Sequence, residues 1–133
     1  MRKTSKTHPK VTREWRSICP ITNTLDLLGD KWTLILIRDL FLGKRTYGEF
    51  QASPEGIPTN ILAARLKRLL GSNIIVKEAY QERPMRYAYS LTEKGQALAP
   101  IVKAIANWGL KHIPGTDARL AKEYLKKNKR SLL

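Results

Sequence analysis

The chain has 133 residues, 42% of them hydrophobic, which suits a single domain that can bury a core. Its 25 Lys and Arg residues outnumber its 11 Asp and Glu residues, so the formal net charge is +14. One cysteine excludes an internal disulfide framework, and no apolar run approaches a membrane span or a signal-peptide core. The composition predicts a cytoplasmic protein with a polyanionic partner, either nucleic acid or an anionic membrane surface.

The positive charge is concentrated in three segments. Residues 1–17 hold six basic side chains and one acidic one, and residues 111–130 hold seven against two. Residues 59–86 hold six against two. A charged terminus is often only a solvated tail, but the block at 59–86 falls inside the predicted domain and indicates a binding surface.

Two helices are predicted at the start of the domain. The first begins near Ile21, with Leu25 and Leu28 on one face, and ends at Gly29. Asp30 is predicted to cap the second, at about 31–42, whose broad apolar stripe indicates a central position in the core. Gly43 then suits the left-handed residue that follows a helix.

The next segment predicts two helices joined by a turn. Residues 46–49 (Thr-Tyr-Gly-Glu) match a capping box, which opens a short helix with Tyr47 and Phe50 facing inward. Residues 53–57 form a turn. A longer helix then begins at residue 58 or 59, runs to about residue 70, and ends at Gly71-Ser72-Asn73.

A β-hairpin and a long helix follow. The strands are predicted at 74–80 and 86–91, with a turn at 81–84 between them. Thr92 is predicted to cap a long helix that Pro100 kinks and Pro114-Gly115 ends. A last, weakly amphipathic helix is predicted at 117–127.

The order of these elements is that of a winged helix-turn-helix domain. The predicted fold class is therefore mainly α with a small β-hairpin wing (α+β). Such a fold suits DNA, because a helix fits the major groove and a hairpin beside it reaches the adjacent backbone or minor groove.

The helix at 58–70 has two distinct faces when it is projected at about 100° per residue. One arc is apolar and consists of Ile61, Leu62, Leu66, Leu69 and Leu70. The other arc combines polar and basic residues with small alanines, which would let the helix backbone approach a groove closely. A helix face that is simply exposed to solvent would carry the same charge. The outer arc holds Asn60, Ala63, Ala64, Lys67 and Arg68, with Thr59 at its border and Arg65 on the core flank.

Basic residues of the hairpin add to this surface. Arg83 and Arg86 lie at its tip and are expected to face the same side as the helix at 58–70. A charged hairpin alone is usually just solvated, but the two features together favour DNA. The predicted DNA-binding residues are Thr59, Asn60, Ala63, Ala64, Lys67, Arg68, Lys77, Arg83 and Arg86.

The sequence resembles the HxlR-type winged-helix transcription regulators, which are related to the MarR group. The resemblance covers about residues 17–110, and Asn73 departs from it where the family usually has glycine. The matching stretches are Cys19-Pro20-Ile21, Leu25 to Thr33 (LDLLGDKWT), Ile37 to Leu40 (IRDL), Gly56 to Leu62 (GIPTNIL), Arg65-Leu66-Lys67 and Tyr89 to Gly95 (YSLTEKG).

The resemblance implies a homodimeric, sequence-specific regulator of bacterial transcription that binds double-stranded DNA at a pseudo-palindromic operator. Its recognition helix would be 58–70 and its wing 74–91, in a domain at 17–113 between a basic arm (1–16) and a basic extension (114–133). Two-fold symmetry would place the recognition helices about 34 Å apart. Dimerisation would use the N-terminal segment and the long C-terminal helix, through Ile21, Leu98, Ile101, Val102, Ile105 and Trp108.

Some members of this family sense electrophiles or oxidants through a cysteine at the position of Cys19. A helix N-terminus at Pro20 and the nearby Arg13 and Arg16 would lower the pKa of this thiol. The alternative is a small residue that fills a gap at the dimer contact. An oxidant or small molecule is thus a candidate effector.

Three other functions compete with specific DNA binding. An enzyme is disfavoured, because the only histidines that could assist Cys19 are His8 and His112, and no cofactor or metal motif is present. A nonspecific nucleic-acid-binding winged helix would use the basic ends without base contacts. A protein-interaction winged helix would be unusual at this charge. No cofactor, metal or membrane partner is predicted.

Overall fold

The computed structural model describes residues 15–117 and residue 119, and it divides into two units between residues 30 and 31. Of the predicted basic arm at 1–16 and extension at 114–133, only 15, 16, 114–117 and 119 are described. The helix predicted at 117–127 likewise lies outside the described residues, apart from 117 and 119.

In the first unit, helix α1 spans Pro20–Leu28, close to the predicted bounds. Pro20 occupies the start of the helix, where its fixed φ and missing N–H cost nothing. Cys19 is the N-cap residue, with an extended backbone. The helix ends at Gly29, whose N–H donates to the Leu25 carbonyl oxygen at 2.7 Å.

The second unit begins with helix α2, which spans Thr33–Phe41. Its N-cap residue is Trp32, so the prediction that Asp30 holds this position is wrong: a turn at residues 31–32 delays the helix. Gly43 adopts φ of 98° after the C-cap residue Leu42, as predicted, in a region where only glycine is unstrained.

Helix α3 spans Tyr47–Gln51 and opens with the predicted capping box. The Thr46 hydroxyl accepts the Glu49 N–H, and the Glu49 carboxylate accepts the Thr46 N–H at 3.1 Å. Phe50 is buried as predicted, but Tyr47 is exposed. The Tyr47 ring lies beside the ring of the buried Tyr89, at a centroid distance of 6.3 Å, and keeps its other side in solvent.

Helix α4 spans Thr59–Gly71, one residue beyond the predicted end, with Pro58 as its N-cap residue. The chain then leaves the helix through Asn73, whose φ of 62° lies in the left-handed region. Asparagine tolerates that region better than most residues with a side chain, so it can stand where the family usually has glycine.

An antiparallel hairpin follows, formed by strand β1 (Ile75–Glu82) and strand β2 (Met85–Leu91). The strands run further toward the tip than predicted, so the turn is only Arg83-Pro84. A β-bulge between Ala79 and Gln81 supplies the extra residue that lets the two strands stay paired to the tip.

The predicted long C-terminal helix is in fact two helices, α5 (Glu93–Gln96) and α6 (Ala99–His112). Thr92 caps α5 as predicted, since its hydroxyl accepts the Gly95 N–H at 3.1 Å. The predicted kink at Pro100 is wrong, because Pro100 lies in the first turn of α6 and not inside a helix. Proline lacks the N–H that a helix interior needs, and the first turn does not need it.

The core of the second unit forms where these elements meet. Helix α2 packs on α6 and β2, α3 packs on α4, α4 on β1, and α5 on β2. Over the described residues the fold is mainly helical with a two-stranded antiparallel hairpin, as predicted. The largest fully buried apolar side chains of this core are Leu36, Ile37, Phe50, Leu62, Leu66 and Ile75.

Candidate nucleic-acid interface

Helix α4 has one buried and one exposed arc, as its periodicity predicts. Leu62, Leu66 and Leu69 are at most 3% exposed and fix the helix to the core. Ile61, Arg65 and Leu70 are intermediate and mark the flanks. The arc predicted to contact DNA is exposed throughout and consists of Thr59, Asn60, Ala63, Ala64, Lys67 and Arg68.

The first turn of α4 is held by α3. The Gln51 side-chain amide donates to the Thr59 hydroxyl at 2.9 Å, which links the last residue of α3 to the first residue of α4. Sequence reasoning missed this bond, since nothing in the spacing of the two residues predicts it. The bond fixes Thr59 at the edge of the exposed arc.

A charged network holds the turn that leads into α4. The Arg38 guanidinium on α2 donates two hydrogen bonds to the Glu55 carboxylate, at 2.8 and 2.9 Å, and also bonds Asp39. Asp39 is 1% exposed and accepts a bond from the Ser53 hydroxyl, which in turn accepts one from Lys44. This network ties α2 to the turn between α3 and α4.

The network also sets the charge state of its members. The hydrogen bonds from Arg38 lower the pKa of Glu55, although partial burial acts in the opposite direction. Burial alone would lower the pKa of Arg38, but its bonds to Glu55 and Asp39 outweigh burial and raise it. Both groups are therefore charged at neutral pH. The sequence carries no signal for the Arg38–Glu55 pair, whose members are 17 residues apart.

The hairpin is anchored beside the start of α3. The Tyr89 N–H of β2 donates to the Arg45 carbonyl oxygen at 2.8 Å, and the Tyr89 ring lies beside the Phe50 ring. Arg83 in the turn and Arg86 on β2 are exposed, as predicted. The Lys77 ammonium lies 4.2 Å from the centre of the Tyr87 ring. That the two arginines face the same side as α4 stays a prediction.

Helix α6 presents apolar side chains to solvent. Ile101, Ile105 and Trp108 are 38%, 53% and 61% exposed, whereas Leu98 and Val102 are intermediate. Exposed large apolar groups in a row are uncommon on a monomer surface. In the first unit, Ile21 of the predicted dimer interface is also exposed.

Cys19 lies at the N-terminus of α1 and is half-buried. The Thr22 N–H, the Thr22 hydroxyl and the Ile21 N–H lower the pKa of its thiol. The predicted contribution of Arg16 is not found: its guanidinium instead pairs with Asp26 at 2.9 Å. Arg13, the other predicted contributor, lies outside the described residues.

Two findings bear on other partners. Among residues 15–117 and 119, no cluster of three or more His, Cys, Asp or Glu side chains is placed to bind a metal ion. No helix in that part of the chain has the length and hydropathy to cross a membrane.

The order of elements, with α3 and α4 joined by a turn and followed by a hairpin, defines a winged helix-turn-helix protein. Residues 27–117 match the model of the HxlR-like helix-turn-helix family, and the chain belongs to that family. It is a helix-turn-helix transcriptional regulator. The family and its relatives are regulators and not enzymes.

Individual relatives agree with this assignment. The chain is 38% identical over 92 residues to sll1512, an uncharacterised HTH-type transcriptional regulator of Synechocystis, covering 69% of this chain and 68% of the relative. The redox regulator HypR in its oxidised form superposes with a TM-score of 0.65 at 36% identity, over 71% of this chain and 97% of HypR. The reduced form of the transcriptional regulator YodB from Bacillus subtilis superposes with a TM-score of 0.61 at 29% identity, over 76% of this chain and all of YodB.

Proposed function

We propose that the protein is a homodimeric, sequence-specific DNA-binding regulator of transcription that works in the cytoplasm. Helix α4 enters the major groove, and the β1–β2 hairpin contacts the backbone or the minor groove. In this proposal the winged-helix domain spans 17–113. The basic segments 1–16 and 114–133 flank it and add sequence-independent attraction to phosphate.

The observation that carries the proposal is the composition of the exposed arc of α4. Asn60 can pair with the edge of adenine, and Lys67 and Arg68 can reach guanine or phosphate. Ala63 and Ala64 have short side chains, so the helix backbone can approach the bases closely. Three buried leucines on the opposite arc hold the helix in place while this arc faces solvent.

The hairpin supports the same geometry. Arg83 and Arg86 are exposed at and beside its tip, where a phosphate backbone would pass. Lys77 is exposed as well, with its ammonium over Tyr87. To contact a phosphate, the Lys77 ammonium would either stay over the Tyr87 ring or move away from it.

Dimerisation is supported by the apolar side chains that α1 and α6 expose. Burial of Ile21 and of the α6 stripe in a two-fold interface would remove apolar surface from water. The two recognition helices would then meet two half-sites of a pseudo-palindrome about 34 Å apart. The second part of this interface consists of Leu98, the N-cap residue of α6, and of Ile101, Val102, Ile105 and Trp108 on the helix.

A competition assay tests specificity directly. Oligonucleotides selected by the full-length protein define an operator, and its affinity is then compared with that of random duplex DNA at physiological salt. Specific recognition predicts a preference of about 10³ or more. Equal affinities would instead support the second candidate, a nonspecific nucleic-acid-binding winged helix, which the net charge of +14 favours.

We also propose that Cys19 makes operator binding responsive to oxidants or electrophiles. Its place at the α1 N-terminus and the lowered pKa of its thiol support this, since a thiolate is the reactive form. Similarity to a redox regulator supports it further. Because the chain has one cysteine, oxidation would form a disulfide with a second copy or with a small thiol.

Diamide titration of the reduced protein tests this role. Operator affinity of the wild type should change on oxidation, whereas Cys19→Ser should keep its affinity. An equal loss in both proteins would exclude Cys19 as the sensor.

A further inference from the structure

An apolar cavity of about 320 Å³ lies between α2 and α6 within the second unit. Leu34 and Ile35 line it from α2, and the small residues Ala106 and Gly109 line it from α6. The cavity exists because these small residues face the two larger ones and leave the space between the helices unfilled. A methyl group built on Gly109 would meet only Ile113 Cδ1, at 3.9 Å, which shows how open this side is.

The cavity overlaps the stripe proposed for dimerisation only in part. Projected along α6, Ile101 and Trp108 fall on one side of the helix, whereas Ala106 and Leu110 fall on the other. Only Val102 and Ile105 belong to both. A second copy seated on Ile101 and Trp108 would therefore meet the edge of the cavity at Val102 and Ile105.

The size and charge of the cavity define its ligand. An engineered cavity of about 150 Å³ lined by aliphatic and aromatic side chains stays dry and binds benzene. The present volume is about twice that, which suits a molecule with two fused or linked rings. Two charged side chains, Arg38 and Asp117, line the cavity together with the polar residue Thr116. Arg38 is already paired with Glu55 and Asp39, and Asp117 with Arg119, so neither charge is left for a charged ligand to neutralise.

The same arginine connects the cavity to the DNA-binding helix. Arg38 touches the cavity and bonds Glu55 in the turn that leads into α4. A ligand packed against Arg38 would change the packing around this ion pair, and with it the position of the turn. We propose that the cavity binds a neutral, apolar, two-ring molecule and that its occupation alters operator affinity through the Arg38–Glu55 pair.

The neutral fluorophore N-phenyl-1-naphthylamine is a suitable probe for the full-length chain. Its fluorescence should rise saturably with the wild type. Ala106→Leu should weaken probe binding by about tenfold or more, because the added carbons fill the cavity. The matched variant Ala104→Leu makes the same change at an exposed position of α6 outside the cavity lining, and it should bind the probe like the wild type.

Operator titrations with and without saturating probe test the coupling, which rests on the proposed function. Wild-type affinity should change by about fivefold or more, and Glu55→Gln should bind the probe without that change. Circular dichroism checks that each variant is folded.

Absence of probe binding to the wild type would overturn the ligand site, as would equal weakening by both leucine variants. The first result is expected if the C-terminal segment or a second copy fills the space. Probe binding without any change in operator affinity would overturn the coupling alone. Failure to bind an operator in the absence of probe would instead contradict the proposed function.

Discussion

On the exposed arc of α4, side chains of different length have different roles. Ala63 and Ala64 set how near the helix backbone comes to the floor of a groove, since a larger residue would hold it away. Asn60 is short and offers both a donor and an acceptor, which suits the edge of a base. Lys67 is long and can reach either a base or a phosphate.

Replacing Lys67 by alanine separates base contact from general attraction. If Lys67 touches a base edge, Lys67→Ala should cost about 1–3 kcal/mol of operator binding and relax the preference at one base position. Fluorescence anisotropy with the operator and its single-base variants measures both. Lys111→Ala, on α6, removes the same charge and should leave the base preference intact; a similar change in both variants would argue against a base contact.

Single residues were predicted well where periodicity determines burial. The leucines of α4 are buried and its polar arc is exposed because one helix face must cover the core. Tyr47 was predicted to be buried from its spacing to Phe50, yet its ring stays at the surface beside Tyr89 of β2. Spacing within a short helix does not reveal which strand residue will lie across from it.

At the scale of elements, the Arg38–Glu55 ion pair holds the turn before α4. The stability that this pair contributes should depend on pH. The pKa of Glu55 is lowered in the folded protein, so its carboxylate stabilises the fold above the ordinary pKa. That contribution is lost as the pH falls through the lowered value.

Urea unfolding between about pH 7 and pH 3 measures this effect. Glu55→Gln should lower the free energy of unfolding at pH 7 and make its decline below about pH 5 shallower. Glu78→Gln changes an exposed carboxylate on β1 and serves as the control. Parallel pH profiles for the wild type and Glu55→Gln would contradict the role assigned to the ion pair.

The hairpin should contribute affinity without sequence preference. Arg83 lies in its turn, so Arg83→Ala should weaken binding to all sequences alike and reduce the slope of log K against log salt by about 1. Titrations of operator and random DNA at several salt concentrations measure the slope. An unchanged slope together with unchanged affinity would show that the turn does not contact phosphate.

Elements with local signals could be predicted from the sequence alone. The capping box of α3, the Thr92 cap, Gly43 and the alternation of the hairpin each depend on neighbours within a few residues. The sequence predicts one long helix after Thr92, kinked at Pro100, because apolar residues continue past the proline. The helix divides before Pro100 because the missing N–H of proline outweighs the apolar pattern. The Arg38–Glu55 pair has no local signal in the sequence at all.

At the scale of the whole molecule, the proposed dimer depends on the apolar stripe of α6. Trp108 is its most exposed member, and a large aromatic group buried at the centre of an interface often dominates its energy. Trp108→Ala should weaken dimerisation by about 2 kcal/mol or more and lower operator affinity with it.

Sedimentation velocity across a range of concentrations measures the dimer dissociation constant. Tyr80→Ala removes an aromatic side chain of similar exposure from β1 and should leave dimerisation unchanged. A dimer that withstands Trp108→Ala would place the interface elsewhere.

The order of elements was enough to predict the winged-helix topology, and the matching stretches from Cys19 to Gly95 were enough to predict the family. It could not give the cavity between α2 and α6, because that space depends on which faces of two helices distant in sequence oppose each other. Ala106 and Gly109 look like ordinary small helix residues until Leu34 and Ile35 are placed across from them.

The central claim is that the exposed arc of α4 reads bases, and the most direct test is to repeat the selection of bound oligonucleotides with Asn60→Ala. The wild type should select two inverted half-sites about 10 base pairs apart from centre to centre. The variant should lose its preference at one position in each half-site and keep the others. An identical selected motif, or no motif for the wild type, would contradict the assignment of α4 as the recognition helix.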